Sequence, residues 1–128
     1  MRRSILLNLT GAILLTGTLI SQARAADVEK GRHLFMMKCG MCHTVDANGP
    51  KKMGPNLHGL VGRKAGSLAG YNYSSAMSSS AIVWSAATLD SYLENPHRDV
   101  PNDKMPFAGL PNKSDRDDLI AYLEQATR

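Results

Sequence analysis

The 128-residue sequence contains only two cysteines, and both lie in the five-residue stretch Cys39-Gly40-Met41-Cys42-His43. A disulfide framework needs more cysteines than this, and a structural zinc site needs a second ligand pair at matching spacing. A disulfide across a two-residue spacer would also close a very short loop, which stabilises a fold poorly. No alternating run of β-branched residues lies nearby, so the strand–helix setting of a thioredoxin-like redox dithiol is missing too.

The sequence also lacks an apolar run long enough to span a membrane. Its longest apolar segment, Ile5 to Ile20, is about 16 residues long and is interrupted by polar residues, whereas a transmembrane helix needs about 20 apolar residues. Two arginines precede this segment, and the small-residue pattern Ala23-Arg24-Ala25 follows it. This order predicts a signal peptide over residues 1–25, cleaved after Ala25, and one domain over residues 26–128. We therefore expect export to the bacterial periplasm, with no membrane span after cleavage.

Neither strong charge nor many aromatic residues are present. The chain has 15 Lys and Arg against 11 Asp and Glu, and removing the three arginines of the signal peptide lowers the formal net charge from +4 to +1. This balance gives no support to nucleic-acid binding. Aromatic residues make up only 5% of the chain, so a domain of this size would have a modest core unless a bound apolar group enlarged it.

The C-x-x-C-H motif is the feature that carries chemistry. Residues three and four apart share one face of a helical turn, so the two thiols can hold one flat group from the same side. His43 can then place an imidazole nitrogen over the centre of that group. This geometry predicts one covalently attached haem c, with thioethers from Cys39 and Cys42 and with His43 as the proximal iron ligand.

Helix signals occur in three places. Asp27 can cap a helix that runs to about Lys38, and Ser85 can open a second helix that ends at Asn95-Pro96. The stretch Ser114-Asp115-Arg116-Asp117 can open a final helix that runs almost to the end of the chain. A long glycine-rich loop separates the first two helices, and such a loop usually wraps around something. The pattern predicts an all-α domain with three main helices and long loops.

The first predicted helix contains two features that bear on packing. Its apolar stripe includes Met37, and Met41 continues that stripe beyond it, so we expect both in the core. Gly31 lies inside the helix, where it costs about 1 kcal/mol relative to alanine. A glycine at this position suggests that another helix crosses at close range.

The sixth iron position has several candidates in the sequence. Four methionines are too close to His43 along the chain to reach the other face of a haem: Met36, Met37, Met41 and Met53. Met77 lies in a serine-rich run without rigid support. Met105 lies between Pro101 and Pro106, so its sulfur could be held at a fixed point. Three histidines are rival ligands on these grounds: His33, His58 and His97.

The motif and further stretches spread over residues 27–128 resemble class I cytochrome c, close to the mitochondrial type and its bacterial periplasmic relatives. These stretches keep their order and spacing, and they are C-G-M-C-H, G-P-N-L-H-G-L-V-G-R-K-A-G, G-Y-N-Y, the lone Trp84, Y-L-E-N-P, K-M-P-F-A-G-L and D-L-I-A-Y-L. The resemblance implies the class I cytochrome c fold, in which three main helices and long loops wrap around one covalently bound haem.

The resemblance also implies roles for single residues. Met105 matches the distal iron ligand, and Pro55 matches the proline whose carbonyl orients the proximal histidine. Tyr92 matches the tyrosine that hydrogen-bonds the ligating sulfur. Gly31 and Phe35 match the crossing between the first and last helices. Three residues match the partners of the buried haem propionates: Arg63, Tyr73 and Trp84.

The sequence departs from the family's pattern near the haem and at its rim. Met77 stands where the mitochondrial type has an asparagine in a small polar network. Asp103 replaces a threonine that bonds a propionate, and a carboxylate there would repel a propionate. Lysines of the basic rim are matched by Lys38, Lys52 and Lys104. Four other lysine positions hold different residues: His33, His97, Pro111 and Asn112.

A haem with two protein ligands has no open iron position for a substrate, so we expect no enzyme activity. The predicted function is that of a soluble, monomeric one-electron carrier that cycles between Fe(II) and Fe(III) in a respiratory or photosynthetic chain. Its partners would be membrane or periplasmic redox proteins (an oxidase, dehydrogenase, bc-type complex or reaction centre) that dock transiently over a small patch. The alternatives are a peroxidase-like haem enzyme or gas sensor with an open distal site, or a dedicated haem subunit of one dehydrogenase or oxidase.

Overall fold

The computed structural model describes residues 24–128, in which three longer helices and two short ones are connected by loops. The helices are α1 (Val28–Lys38), α2 (Ser75–Ser78), α3 (Ala86–Glu94), α4 (Pro96–Asp99) and α5 (Lys113–Ala126). The one β feature found in this range is an isolated antiparallel bridge between Lys64 and Val83. The expectation of an all-α domain with three main helices and long loops is confirmed.

The predicted signal peptide, residues 1–25, falls almost entirely outside the described residues, which begin at Arg24. From Arg24 to the end of the chain, no helix has both the length and the apolar character needed to cross a membrane. The described chain instead begins with an extended segment that leads directly into α1.

The predicted starts of α1 and α3 are confirmed, because both depend on local capping. The carboxylate of Asp27 accepts a hydrogen bond from the Lys30 amide at 3.0 Å, which satisfies one of the free amides at the start of α1. Ser85 forms a capping box with Thr88 at the start of α3, so side chain and backbone of the two residues bond reciprocally.

Helices α1 and α5 pack against each other more extensively than any other pair in residues 24–128. Gly31 lies at their crossing: a Cβ atom there would stand 2.6 Å from the carbonyl carbon of Asp118 and 2.9 Å from the Cβ of Tyr122. The ring of Phe35 packs on that of Tyr122, with the centroids 5.5 Å apart. The expected close crossing at Gly31 and Phe35 is therefore confirmed, and it explains why this helix contains a glycine.

A buried carboxylate ties the start of α1 to α5. The side chain of Asp118 is fully buried, and it accepts hydrogen bonds from the Arg24 guanidinium at 3.0 and 3.2 Å and from the Asp27 amide at 2.7 Å. The Lys30 ammonium lies 3.2 Å away. Burial by itself would raise the pKa of this carboxyl, but these donors outweigh it and lower the pKa to about 2.

Two details of the predicted helices are wrong. Helix α5 begins at Lys113 and not at Ser114, because the side chain of Asn112 caps it by accepting from the Asp115 amide at 3.2 Å. Met37 and Met41 are not in the core, since 65% of Met37 and 86% of Met41 is exposed. The face of α1 that packs on α5 is the narrower one that carries Gly31 and Phe35.

Candidate cofactor site

Residues from α1, α2, α3, α5 and the connecting loops surround a cavity of about 410 Å³. This volume lies in the range of pockets that bury most of a small ligand's surface. Its wall is mainly apolar, and the members that are also core residues include Phe35, Leu60, Trp84, Leu89, Leu93 and Leu119. The cavity therefore offers a flat apolar group a mainly apolar site.

The C-x-x-C-H motif forms a tight turn at the end of α1. The amides of Cys42 and His43 both donate to the carbonyl of Cys39, at 3.0 and 2.9 Å. Cys39 and Cys42 are not joined in a disulfide, and both line the cavity together with His43. Burial, aided by the nearby Cys42, raises the pKa of the Cys39 thiol to about 11, so that thiol is neutral at physiological pH.

The imidazole of His43 is held in one orientation. Its Nδ1 lies 2.8 Å from the carbonyl oxygen of Pro55, the residue that the resemblance implied, and this contact leaves Nε2 available for a metal. Burial lowers the pKa of His43, although the hydrogen bond to Pro55 acts in the opposite direction. The neutral form, which is the one that binds metals, is therefore favoured at neutral pH.

Gly54, in the glycine-rich loop that follows the motif, is a residue of the site for which the sequence predicted no role. A Cβ at Gly54 would lie 2.5 Å from Cε1 and 2.8 Å from Nδ1 of His43, so only glycine lets the backbone pass this close to the ring. The Gly54 amide also donates to the carbonyl of Cys42 at 2.8 Å. The Gly54-Pro55 pair indicates a turn, but nothing local in it indicates contact with His43.

Met105 lines the same cavity as His43, although it lies far along the chain. It is half-buried and follows a turn over Val100–Asp103 in which the Asp103 amide donates to the Val100 carbonyl at 3.1 Å. Pro101 and Asn102 occupy the middle of this turn, and Asn102 has a φ of 65°, as the third residue of a type II turn requires. The turn fixes the backbone that leads into Met105.

The other candidate iron ligands differ from Met105 in their position relative to the cavity. None of the three histidines lines the cavity, and all of them are exposed: His33, His58 and His97. Met53 reaches the cavity but is mostly exposed. Met77 does line the cavity and is only 6% exposed. The expectation that Met77 has no rigid support is wrong, because it belongs to α2 and its amide donates to the Ser74 side chain at 3.1 Å.

Three of the predicted pocket residues, Arg63, Tyr73 and Trp84, also line the cavity. Arg63 and Trp84 lie side by side, because the Trp84 amide donates to the Arg63 carbonyl at 3.0 Å next to the isolated bridge. The Arg63 guanidinium donates to the carbonyls of His58 at 2.8 Å and Asn56 at 3.1 Å. The loop thus holds this cation at the wall of an apolar cavity.

Tyr92, another predicted pocket residue, has a different partner from the one that the resemblance implied. Its ring is buried and packs on Trp84 with the centroids 5.0 Å apart. Its hydroxyl donates to the carboxylate of Asp103, and no hydrogen bond joins it to the sulfur of Met105. Burial, together with the bond to Asp103, raises the pKa of Tyr92 well above its usual value.

Lysines lie next to the cavity and to the motif. Lys38 and Lys104 contribute to the cavity wall, and the Lys104 ammonium stands 5.8 Å from the centre of the Tyr71 ring. The Lys52 ammonium donates to the carbonyl of Gly40 inside the motif. All three lysines are exposed, so they place positive charge around this side of the molecule.

The residues of the cavity fit a haem better than a bare metal ion. In residues 24–128 no group of three or more His, Cys, Asp or Glu side chains could hold a metal ion. The cavity instead offers two thiols on one turn, one fixed imidazole and a thioether from a distant part of the chain. Iron in a porphyrin needs only axial ligands from the protein, and imidazole and thioether are suitable ones.

Comparison with known proteins gives matches across the same part of the chain. The family model described as cytochrome c matches residues 28–127. A cytochrome c from Gibberella zeae is 50% identical over 102 residues, which cover 80% of this chain and 96% of the relative. One from Arabidopsis thaliana is 49% identical over 102 residues, covering 80% and 91%. One from Kluyveromyces lactis is 44% identical over 100 residues, covering 78% and 91%.

These relatives correct one expectation from the sequence. The sequence predicted export to the bacterial periplasm. The relatives named above are cytochromes c of eukaryotes, in which cytochrome c of the mitochondrial type lies in the intermembrane space. The assignment to a bacterial periplasm is therefore wrong. An apolar segment followed by a small-residue pattern indicates that a leader is removed, but it does not identify the compartment.

Proposed function

Because the chain belongs to the cytochrome c family, we propose that Cys39 and Cys42 carry the family's haem and that His43 and Met105 are its axial iron ligands. The protein is a one-electron carrier with one covalently attached haem c, and it is not an enzyme. The comparisons give no support to a peroxidase-like enzyme, a gas sensor or a dedicated subunit. When bound, the haem supplies reversible exchange of one electron at its iron.

The observation that carries the proposed ligand set is that one apolar cavity gathers all four residues. The turn at the end of α1 presents both thiols and the imidazole from adjacent positions, and the loop after Asn102 brings Met105 to the same cavity. The His43 ring is oriented by the Pro55 carbonyl, so its Nε2 can bind iron without further rearrangement of the ring.

The surrounding residues would hold the haem's charged groups and exclude water. Arg63 supplies a fixed cation, and Tyr73 and Trp84 supply a hydroxyl and an indole N–H at the same cavity wall. Propionates that are partly buried need such donors, because an unpaired charge in an apolar site is costly. We assign these three residues to the propionates.

The cytochrome c family acts through transient contacts with redox complexes, and we propose that the face carrying Lys38, Lys52 and Lys104 is the one that docks. These lysines are exposed and lie next to the cavity and the motif. A positive rim at this place would steer an acidic partner toward the haem and would shorten the distance for electron transfer. Which oxidase, reductase or dehydrogenase docks on this face depends on the surface of that partner.

We also propose that residues 1–25 are a leader that is removed after Ala25. The order of arginines, apolar segment and small-residue pattern supports this. The mass of the mature protein from its native source tests it, because cleavage after Ala25 leaves Ala26 as the first residue. A mature chain that retains Arg24 would contradict the proposal.

The ligand set is tested by replacing the sulfur. Met105→Ala should keep the covalent haem but remove the methionine-to-iron charge-transfer band of the oxidised protein, and the reduced protein should then bind carbon monoxide rapidly. Met53→Ala is the matched control, because Met53 also borders the cavity but is mostly exposed. We expect this control to keep the band. Loss of the band in Met53→Ala, or its survival in Met105→Ala, would show that Met105 is not the ligand.

A further inference from the structure

The hydroxyl of Tyr92 and the carboxylate of Asp103 form a hydrogen-bonded pair at the wall of the cavity. Tyr92 comes from α3, where its ring is fixed by burial against Trp84. Asp103 comes from the last position of the Val100–Asp103 turn, whose backbone hydrogen bond fixes the start of the segment that leads to Met105. Both partners are thus held by different parts of the fold.

A phenolic hydroxyl has a single proton to donate. A carboxylate is a strong acceptor whose hydrogen bonds are charge-assisted, whereas the thioether sulfur of a methionine is a weak acceptor. Asp103 and Met105 both border the cavity that Tyr92 lines, and the family's pattern gives the Tyr92 proton to the sulfur at position 105, so the carboxylate and the sulfur are alternative acceptors for it. The carboxylate is the stronger acceptor of the two, and in the structure the Tyr92 hydroxyl donates to Asp103.

Asp103 has no other polar side-chain partner among the described residues that could replace Tyr92. In residues 24–128 no Lys, Arg or His forms an ion pair with it. The neighbouring Lys104 directs its ammonium to the carbonyl of Asn72. Met77, which borders the same cavity, offers only a thioether. The Tyr92 hydroxyl is therefore the polar side-chain partner that Asp103 has here.

We propose that Asp103 is a positioning residue that holds the Tyr92 hydroxyl away from the Met105 sulfur and so lowers the reduction potential of the haem. The proposal rests on Met105 being the iron ligand, as proposed above. A sulfur that receives no hydrogen bond donates more electron density to Fe(III). The negative charge of Asp103 acts in the same direction, since it stabilises the more positive oxidation state. Variants that remove only the charge of Asp103, or both its charge and its acceptor, therefore separate the effect of the charge from that of holding the Tyr92 hydroxyl.

The experiment is a double-mutant cycle on the haem-containing protein, with the reduction potential and the methionine-to-iron band as readouts. Asp103→Val removes both acceptor and charge, whereas Asp103→Asn removes the charge but keeps an acceptor for Tyr92. We expect Asp103→Val to shift the Fe(III)/Fe(II) equilibrium toward Fe(II) by about tenfold, or about 59 mV for a one-electron couple. In the Tyr92→Phe background the same change should give a smaller shift, similar to that of Asp103→Asn.

Two results would overturn the proposal. The first is a shift from Asp103→Val that is equally large with Tyr92 and with Phe at position 92, because Asp103 would then act by charge alone. The second comes from Tyr92→Phe by itself, which does not depend on the folding of the Asp103 variants. We expect the methionine-to-iron band to keep its position in this variant, since the sulfur has no bond to lose, and a displaced band would show that the hydroxyl is on the sulfur. A wild-type protein without the band would instead refute the proposed ligand set.

Discussion

Gly31→Ala adds a single methyl group, and the structure predicts that it lowers stability substantially. Gly31 lies where α1 crosses α5, and an added Cβ would stand 2.6 Å from the carbonyl carbon of Asp118 and closer still to its oxygen. The obstacle is backbone in the middle of a helix, so it cannot turn aside as the end of a flexible side chain can. The Cβ of Tyr122, 2.9 Å away, closes the other side.

Two terms of opposite sign decide the outcome. Alanine gains about 1 kcal/mol over glycine inside a helix. Ordinary van der Waals contacts begin at 3.4 Å, so α5 would have to withdraw by about 1 Å, which close-packed interiors resist. Overpacking of this kind costs about 3 kcal/mol or more when backbone has to move. The withdrawal would also loosen the packing of Phe35 on Tyr122. We expect a net loss of about 2 to 4 kcal/mol in the free energy of unfolding.

Urea unfolding of the haem-containing protein, followed by far-ultraviolet circular dichroism, measures this loss. His33→Ala is the matched control, because His33 is exposed on the same helix and its replacement should change stability by no more than about 0.5 kcal/mol. The midpoint should fall for Gly31→Ala while the slope of the transition stays the same. A Gly31→Ala protein as stable as the His33→Ala control would refute the reasoning, since propensity would then outweigh the contact.

Two further predictions concern charge. With Arg24 present, the pKa of Asp118 in the folded protein is about 2, below the value of about 3.9 for an unfolded aspartate. The Asp27 amide and Lys30 remain after the proposed cleavage and lower this pKa in the same direction. The ionised form therefore contributes stability that is complete above about pH 4 and is lost as the pH falls below that value. Asp118→Asn should therefore lower the free energy of unfolding by about 2 kcal/mol at neutral pH and flatten the acid limb of a stability-against-pH curve. The control Asp117→Asn, with a side chain that is 44% exposed, should do neither. Parallel acid limbs for Asp118→Asn and the wild type would contradict this prediction. Lys38→Gln should slow electron transfer to an acidic redox partner about two- to fivefold at low ionic strength and leave it unchanged at high salt. Stopped-flow rates test this against Lys113→Gln on α5, and equal slowing by both variants would argue against a docking face at Lys38.

The sequence predicts those parts of the fold that depend on neighbours along the chain. Asp27 and Ser85 cap their helices through amides three residues away, so their roles follow from local pattern. The motif at the end of α1 is equally local. Local pattern already suggested that another helix crosses close to Gly31, and the resemblance to a known family identified that helix as the last one.

Pattern fails where the outcome depends on which face of an element meets the rest of the fold. Met37 belongs to an apolar stripe, yet α1 turns Gly31 and Phe35 toward α5 and leaves Met37 exposed. Asp118 shows the opposite case: a charged side chain on a helix would ordinarily be exposed. It is buried here beside donors from Arg24, Asp27 and Lys30, which lie far from it in sequence and meet it only where α1 packs on α5.

The two departures from the family's pattern both lie at the wall of the cavity. Met77 stands where the family has an asparagine, and it is buried, so this part of the wall offers a thioether in place of an amide. A buried hydroxyl without a partner costs about 1 to 3 kcal/mol, and in residues 24–128 no buried side-chain nitrogen or oxygen lacks one. The carboxylate of Asp103 is the partner that Tyr92 has. A thioether at position 77 is thus compatible with a carboxylate at position 103, and the Tyr92 hydroxyl is bonded to that carboxylate and not to the sulfur of the proposed ligand Met105.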